Sequence, residues 1–321
     1  MGYIEKIGSE YPWDLFPAGF MQTIIHVPTS IIAVVNHSPG TSHIHKFLEK
    51  RNADSFCLLS FTAWVKERQT EKYYLEEVVR KVTGQHTIPI GDVVLSTLDT
   101  AVGCETCEEL FTPLNPSTYM GLNGVEIILN SSASHAELRK LRTRLDLISN
   151  STRKVGGVYV YANATGVDGE ARMMYDGSSM IVANGKVLEQ GSQFSLKDVE
   201  VTTATFDIEE IRSFRSSISR NVQAAAQPEY ERVECELRLS RPADQLFLSK
   251  NLEISKEIEI KVLDPMEEIY MSTAVFLWQY LVRSRCWGRD PFPRSDCLMI
   301  CPRDNISRNN FYQAITDSPV T

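Results

Sequence analysis

Between Thr97 and Pro113 the chain reads TLDTAVGCETCEELFTP, and this stretch holds the residues best able to do chemistry. An apolar, β-prone run from Val93 to Leu98 leads to Ala101-Val102, then to Gly103, Cys104, Cys107 and the carboxylates Glu108 and Glu109. The pattern predicts a strand that ends in a sharp turn and opens a short helix. Such a turn lifts one side chain clear of the sheet. A thiol there sits beside helix N–H groups, whose partial positive charge favours the thiolate. Cys107 is therefore the candidate nucleophile. Three other readings stay open at this point. Cysteine often serves as a small buried hydrophobe. Cys104-x-x-Cys107 could be a redox pair, although neighbouring glutamates raise a thiol pKa where redox motifs lower it. It could also be half of a zinc site, with Cys297-x3-Cys301 or His43-x-His45 as the other half.

The elements that must hold this stretch alternate between strand and helix. Glu71–Thr83 places Tyr74, Leu75, Val78, Val79 and Val82 near one helical stripe. Ile88–Asp99 reads as a strand pair, and Gly124–Leu129 and Gly156–Ala162 as short apolar strands. In His135–Asn150, Leu138, Leu141, Leu145 and Ile148 share a helical face, with Ser134 as N-cap and Glu137 as its capping-box partner. Ser179–Ala183, Asn184-Gly185 and Lys186–Gln190 form a hairpin with a type I′ signature. Val199–Phe206 reads as a strand, Ile208–Ser219 as a helix and Val233–Leu239 as a further strand. Gln245–Lys261 is a connecting stretch. Asp264-Pro265-Met266-Glu267 opens a helix that runs to about Val282. Before residue 60, four prolines interrupt every period, leaving Met21–Val27 and Ile31–Val35 as short strands and His43-x-His45 in a polar turn. The alternation predicts an α/β layered fold.

Composition sets outer limits. The chain has 321 residues, 43% hydrophobic and 23% charged, with a net charge of −8. That is room for a sizeable core, and the negative balance argues against a nucleic-acid partner. Seven cysteines, an odd and irregularly spaced set, point to free thiols in a reducing compartment. Phe20–Val35, the most apolar early stretch, is broken by His26, Pro28 and Ser30 and does not read as a membrane span. A cytoplasmic location is expected.

Three segments carry a family resemblance: GCETCEELFTP, NSSASHAELRKLRTRLDLI from Asn130 to Ile148, and YDGSSMIVANGKVLEQGSQFSLKDVEV from Tyr175 to Val201. They resemble the glutaminase domain of eukaryotic glutamine-dependent NAD synthetases, within the nitrilase or carbon–nitrogen hydrolase superfamily. The similarity runs from about Phe61 to Arg283 and misses both ends. It implies a nitrilase-like four-layer α-β-β-α sandwich, incomplete at the N-terminus. It divides the chain into an unmatched segment 1–60, a glutaminase-like domain 61–240, and a linker and helix 241–283 that lead toward a missing synthetase domain. An unmatched tail 284–321, expected to be disordered, follows. Both unmatched ends abut strongly matched sequence, so a frame shift or alternative splice near 284 and a second discontinuity near 57 are expected. The alternative is a genuine divergent tail.

By the resemblance, Cys107 is the nucleophile. Glu108 supplies the next backbone N–H and a carboxylate for the α-ammonium of L-glutamine, while Ser134 and Arg139 meet its α-carboxylate. Each has a plainer reading beside this: Ser134 as a helix cap, Arg139 on a solvated face with Lys140, Arg142 and Arg144, and Glu109 as an exposed first-turn residue. The resemblance implies no cofactor on this chain. ATP and nicotinic acid adenine dinucleotide belong to the synthetase domain, whose Ser-Gly-Gly-x-Asp-Ser loop has no counterpart here. The family's glutamate base and lysine lie before the region matching Phe61. Neither their Pro-Glu nor their Arg-Pro context occurs before Phe61, and a further acidic position aligns with Cys57. Weak or absent glutaminase activity is therefore expected. The implied partners are L-glutamine and further copies or intact synthetase subunits. The competing functions are a non-enzymatic nitrilase-like remnant or the product of a disrupted gene, and a generic nitrilase-type amidase.

Overall fold

The computed structural model describes residues 24–27, 30–33, 68, 70–167, 173–197, 200–240 and 253–284. In chain order its elements are β1 (Ile24–Val27), β2 (Ser30–Ala33), β3 (Thr70–Tyr74), α1 (Glu77–Thr83), β4 (Thr87–Gly91), β5 (Val94–Ser96) and β6 (Ala101–Thr106). A 3₁₀ helix (Cys107–Phe111) and α2 (Pro116–Leu122) follow, then β7 (Ile127–Ser132), α3 (Lys140–Val155), β8 (Val158–Asn163), β9 (Thr165–Val167) and β10 (Met174–Asp176). The last are β11 (Met180–Ala183), β12 (Lys186–Gln190), α4 (Ile208–Ser217), α5 (Asn221–Ala226), β13 (Arg232–Glu234) and α6 (Pro265–Ser284).

Seven strands form one mixed sheet in the order β12-β11-β8-β7-β6-β5-β13. Its centre is parallel, with Thr106 opposite Ser131 and Ser132 opposite Asn163, so β6, β7 and β8 end side by side. On one face Ala101, Ile128, Tyr159, Met180, Val182 and Val187 meet Met120 of α2 and Leu141, Leu145 and Ile148 of α3. Gly103 permits this contact: a Cβ there would lie 2.5 Å from Met120 Sδ. On the other face Val158, Ile181, Ala183 and Leu188 pack with Ile211 of α4. This is the mixed sheet flanked by helices expected of a nitrilase-type fold. The remaining described strands form three two-stranded ladders, β1-β2, β3-β4 and β9-β10, so among the described residues the second sheet of a sandwich is incomplete. Among the described residues no helix is long and apolar enough to cross a membrane.

Several expectations are met closely. The hairpin turns at Asn184 (φ 49°) and Gly185 (φ 85°), both left-handed as a type I′ turn requires. Asp264 caps α6 by accepting the Met266 N–H at 3.0 Å, and α6 reaches Ser284. Others need correction. Residues 71–74 form strand β3 paired with β4, and only α1 is helical. The two tyrosines find a ladder partner, and Val78 and Val82 stay exposed. The strand expected at Gly124–Leu129 starts at Ile127, because Gly124 and Val125 hydrogen-bond back to α2. The described part of 199–206 forms no strand: Ala204 and Phe206 pack under α4, while the backbone of Thr205 pairs with Ser255 alone. Helix α3 begins five residues late, since Ser134 and Ala136 bond to Asn163 and Met174 instead of starting a helix. Ser134 is therefore not an N-cap. The expectations for His43-x-His45, for the segment near Phe61, for 241–252 and for 285–321 lie outside the described residues.

Candidate active site

Cys107 stands where β6 ends and the 3₁₀ helix begins, as the sequence predicts. Its φ is +37°, a left-handed backbone that costs a residue with a Cβ about 1–3 kcal/mol. In parallel α/β sheets, ligand sites form outside the carboxyl ends of the strands, and Cys107 is at that edge. The turn is held from two sides. Thr106 and Glu109 form a reciprocal capping box, with the Thr106 N–H donating to Glu109 Oε2 at 2.6 Å. Glu109 is therefore buried, not an exposed first-turn residue; Glu108 is the exposed one. From the neighbouring strand, Asn130 Oδ1 accepts the Cys107 N–H at 3.0 Å.

Beneath Cys107 lies a buried polar chain. Asn130 Nδ2 donates to the Tyr159 hydroxyl at 2.7 Å, and that hydroxyl donates to Glu105 Oε1. Glu105 Oε2 accepts the Ser117 N–H at 2.8 Å. Burial pushes the Glu105 carboxyl above its ordinary range, against the pull of the hydrogen bonds from Tyr159, Ser117 and Asn130. Burial and the Glu105 charge likewise push Tyr159 well above its ordinary value. Cys104 is pushed up to about 12 by burial and by Glu109, so at neutral pH it is a thiol. That sets it apart from the low-pKa cysteine a redox pair needs. For the zinc reading, no group of three metal-ligating side chains occurs among the described residues. Cys297, Cys301, His43 and His45 lie outside them.

Beside Cys107 stands a buried ion pair. Arg144 is fully buried, and its Nη2 donates to Asp176 Oδ2 at 2.6 Å. Its Nη1 comes within 3.5 Å of Ser134 Oγ, and its guanidinium lies 6.0 Å from the centre of the Tyr161 ring. Burial lowers the Arg144 pKa, but Asp176, Tyr161 and Cys107 raise it more, so it stays charged. Burial pushes Tyr161 up to about 12, with the Arg144 charge opposing. Asn163 locks the corner: Oδ1 accepts the Ser134 N–H at 2.9 Å, and Nδ2 donates to Gly177 O at 2.9 Å.

The structure thus brings Ser134 to the Cys107 end of the sheet through Arg144. Arg139 is occupied differently. Its Nη1 donates to Leu263 O at 2.6 Å and reaches Glu268 Oε2 at 3.4 Å, while its N–H donates to Glu268 Oε1 at 3.0 Å. Arg144 is not on a solvated face with Arg142, which corrects the plainer of the two readings offered for Arg139. Spacing carried the signal: Arg144 falls with Leu141, Leu145 and Ile148 on the buried side of α3. Asn130, Glu105 and Tyr159 were missed because each is a lone polar residue in a strand, with no motif spacing.

Comparison with known proteins gives the ancestry. Residues 56–216 match the family described as carbon-nitrogen hydrolase. The glutamine-dependent NAD(+) synthetase of Homo sapiens is 50% identical over 229 residues, covering 71% of this chain and 32% of that protein. The Saccharomyces cerevisiae synthetase is 48% identical over 230 residues, with 71% and 32% covered. A solved glutamine-dependent NAD+ synthetase from Acinetobacter baumannii gives a TM-score of 0.42 at 18% identity, over 65% of this chain and 31% of that one. The chain spans about a third of the length of the curated relatives it matches. With its thiol at the end of a parallel strand and half its length matched, the chain belongs to the carbon–nitrogen hydrolase family.

Proposed function

We propose that this chain carries a thiol-dependent amide hydrolase centre acting on the side-chain amide of L-glutamine. The observation that carries the reading is Cys107, strained at φ +37° on the carboxyl edge of the sheet in a carbon–nitrogen hydrolase domain. The Cys107 sulfur attacks the amide carbon as a general base takes its proton. The tetrahedral oxyanion is met by the N–H of Glu108, a donor worth about 3 kcal/mol in comparable sites. The proton passes to the amide nitrogen, the C–N bond breaks, and ammonia leaves behind a thioester. Water then adds to the thioester carbon, glutamate departs and the thiol is restored. The net change is glutamine and water to glutamate and ammonia.

Glu108, exposed at the rim, faces the α-ammonium in this reading, and Ser134 meets the α-carboxylate. Arg139 shares the carboxylate role while tied to α6 by Glu268. The ammonia serves NAD synthesis in the cytoplasm, the activity for which the relatives are named. The chain works with further copies of itself or with intact synthetase subunits. Use of ATP and nicotinic acid adenine dinucleotide belongs to the part of the relatives that lies beyond the match.

A second reading, a catalytically incomplete remnant that acts in assembly, is favoured by one observation. The contexts of the family's glutamate and lysine do not occur in residues 1–60, and Cys57 stands at a further acidic position. Groups that act as a unit fail as a unit. Labelling with an electrophilic glutamine analogue, read by peptide mass spectrometry, separates the two. Stoichiometric adduct on Cys107, protected by glutamine and lost in Cys107→Ala, supports the hydrolase. Labelling spread over the seven cysteines supports the remnant.

A further inference from the structure

We propose that Asn130 is a positioning residue for Cys107: its side-chain carbonyl holds the left-handed backbone of the nucleophile, and Tyr159 with Glu105 holds that amide in the working orientation. The proposal rests on the reading of Cys107 as an amide hydrolase nucleophile and adds the device that keeps the thiol in place.

The hydrogen-bond donors run one way along the chain. The Cys107 N–H donates to Asn130 Oδ1 at 3.0 Å. Asn130 Nδ2 donates to the Tyr159 hydroxyl at 2.7 Å and approaches Glu105 Oε1 at 3.4 Å. The Tyr159 hydroxyl spends its proton on Glu105 Oε1, and the Ser117 N–H fills Glu105 Oε2. Glu105 receives these donors on both oxygens and ends the chain, which fixes every group before it. A flipped Asn130 amide would set NH2 against the Cys107 N–H, donor against donor. Only one orientation survives, and it presents an acceptor to Cys107. Asn130, Glu105 and Tyr159 are all buried to 2% exposure or less, so water does not compete for these bonds.

The arrangement also settles where the Cys107 N–H points. It is committed to Asn130 and is not the donor that meets the developing oxyanion. Glu105 and Thr106 lie opposite Asn130 and Ser131 on adjacent parallel strands, and Cys107 is the first residue past the end of β6. Loss of the Asn130 side chain therefore removes the bond that ties the Cys107 backbone to β7.

The test uses the full chain and three variants: Asn130→Ala, Tyr159→Phe and the double. The readouts are the maximal rate of Cys107 labelling by the electrophilic glutamine analogue, its half-saturating concentration, and the melting temperature. Asn130→Ala is expected to slow maximal labelling by about tenfold or more, since misplacement of a reacting group costs rate, with half-saturation unchanged. Tyr159→Phe is expected to slow it by about threefold, and the double no more than Asn130→Ala, because Tyr159 acts through Asn130. Wild-type labelling in folded Asn130→Ala, an effect confined to half-saturation, or additive losses in the double would overturn the proposal. Should Asn130→Ala fail to fold, Tyr159→Phe decides, since it removes one hydroxyl and keeps the ring. A wild-type rate there sinks the idea. If the wild-type chain takes no glutamine-protected adduct, the hydrolase reading falls. The positioning claim is then read with iodoacetamide, which needs no glutamine site, and unchanged Cys107 alkylation in both single variants overturns it.

Discussion

The two ends of the parallel strands are built to opposite rules, and each has a buried arginine. At the amino ends of β7 and β8, Arg215 meets main-chain oxygens. Its Nε donates to Gly156 O at 3.1 Å, Nη1 to Gly124 O at 3.2 Å, and Nη2 to Gly156 O at 2.7 Å and to Val125 O. At the carboxyl ends, Arg144 meets a carboxylate, and its Nε is buried with no hydrogen-bond partner among the described residues. The backbones differ in the same sense. Left-handed positions at the amino ends fall mainly on glycines, Gly124 and Gly156, which tolerate them, and on Asn184 of the hairpin turn. At the carboxyl ends one falls on Gly177, but three fall on Cys107, Arg139 and Ser178, which do not. Ser178 Oγ is also buried without a partner among the described residues. The carboxyl ends place more left-handed side-chain-bearing residues than the amino ends, and they place them around a thiol. That contrast is what a site leaves in a fold.

The largest way to break the comparison is at Asp176. Asp176→Ala leaves the Arg144 charge buried and unpaired, and should cost about 3–5 kcal/mol. Chemical denaturation measures it as a lower midpoint at constant slope. The paired replacement Arg144→Met with Asp176→Leu should recover most of that loss, because an apolar pair of similar volume is often neutral. A cost below about 1 kcal/mol for Asp176→Ala, the range of exposed pairs, would mean the carboxyl end is not a buried charge site.

Next in size is Gly156→Ala at the amino end. A Cβ there would lie 2.6 Å from Arg215 Cγ and 3.2 Å from Phe214 Cδ1, at a φ of +73°. The expected loss is about 1–3 kcal/mol, with Cys107 labelling per folded molecule unchanged. Reduced labelling at full folding would couple the two ends and blur the contrast.

Cys107 itself offers a smaller but sharper test, because only the sign matters. At an ordinary helical position glycine is less stable than alanine. At φ +37° the order should reverse, with Cys107→Gly more stable than Cys107→Ala by about 1 kcal/mol. Both variants lose all labelling at this position. Equal stabilities in thermal melts would mean the turn stores no strain.

How much of this was visible in the sequence follows the same divide. Where geometry is solved by residue type, it could be read. Asn184-Gly185 announced its turn, Asp264-Pro265 its helix, and Gly103 followed by Cys107 its strand-to-helix junction. Where geometry is solved by a partner far along the chain, it could not. Ser134 looked like a cap because a hydroxyl before an apolar stripe usually is one, but Asn163, 29 residues on, claims its N–H. Glu109 looked exposed until Thr106 took its carboxylate inward. Arg144 entered only in the plainer reading of Arg139, as part of a solvated face, against the period of its own helix. Cys107 was legible by type and family, while the Asn130–Tyr159–Glu105 chain that holds it joins three strands and left no local trace.

The smallest expected effect lies at the amino end and is read by pH. Asp99, in the turn before β6, accepts the Leu239 N–H at 3.0 Å, the Ser240 N–H at 2.6 Å and the Thr97 hydroxyl at 3.0 Å. Burial pushes its carboxyl up, but these donors together outweigh it and hold the group at about 2, below its ordinary 3.8. A carboxyl lowered on folding contributes stability above its unfolded pKa and loses it as pH falls through the folded value. Asp99→Asn keeps one acceptor and turns a donor toward Ser240. The wild type should therefore exceed the variant in stability by a constant margin above about pH 5. The margin should narrow as pH drops below 3.8 and close near 2. Because Asp99 is partly solvated, screening keeps the margin small, and salt should shrink it further. A margin that stayed flat from pH 5 to 2, by denaturant titration at each pH, would show that those donors do not read the charge. The turn before β6 would then be held by its shape alone, as the glycines hold the turns before β7 and β8.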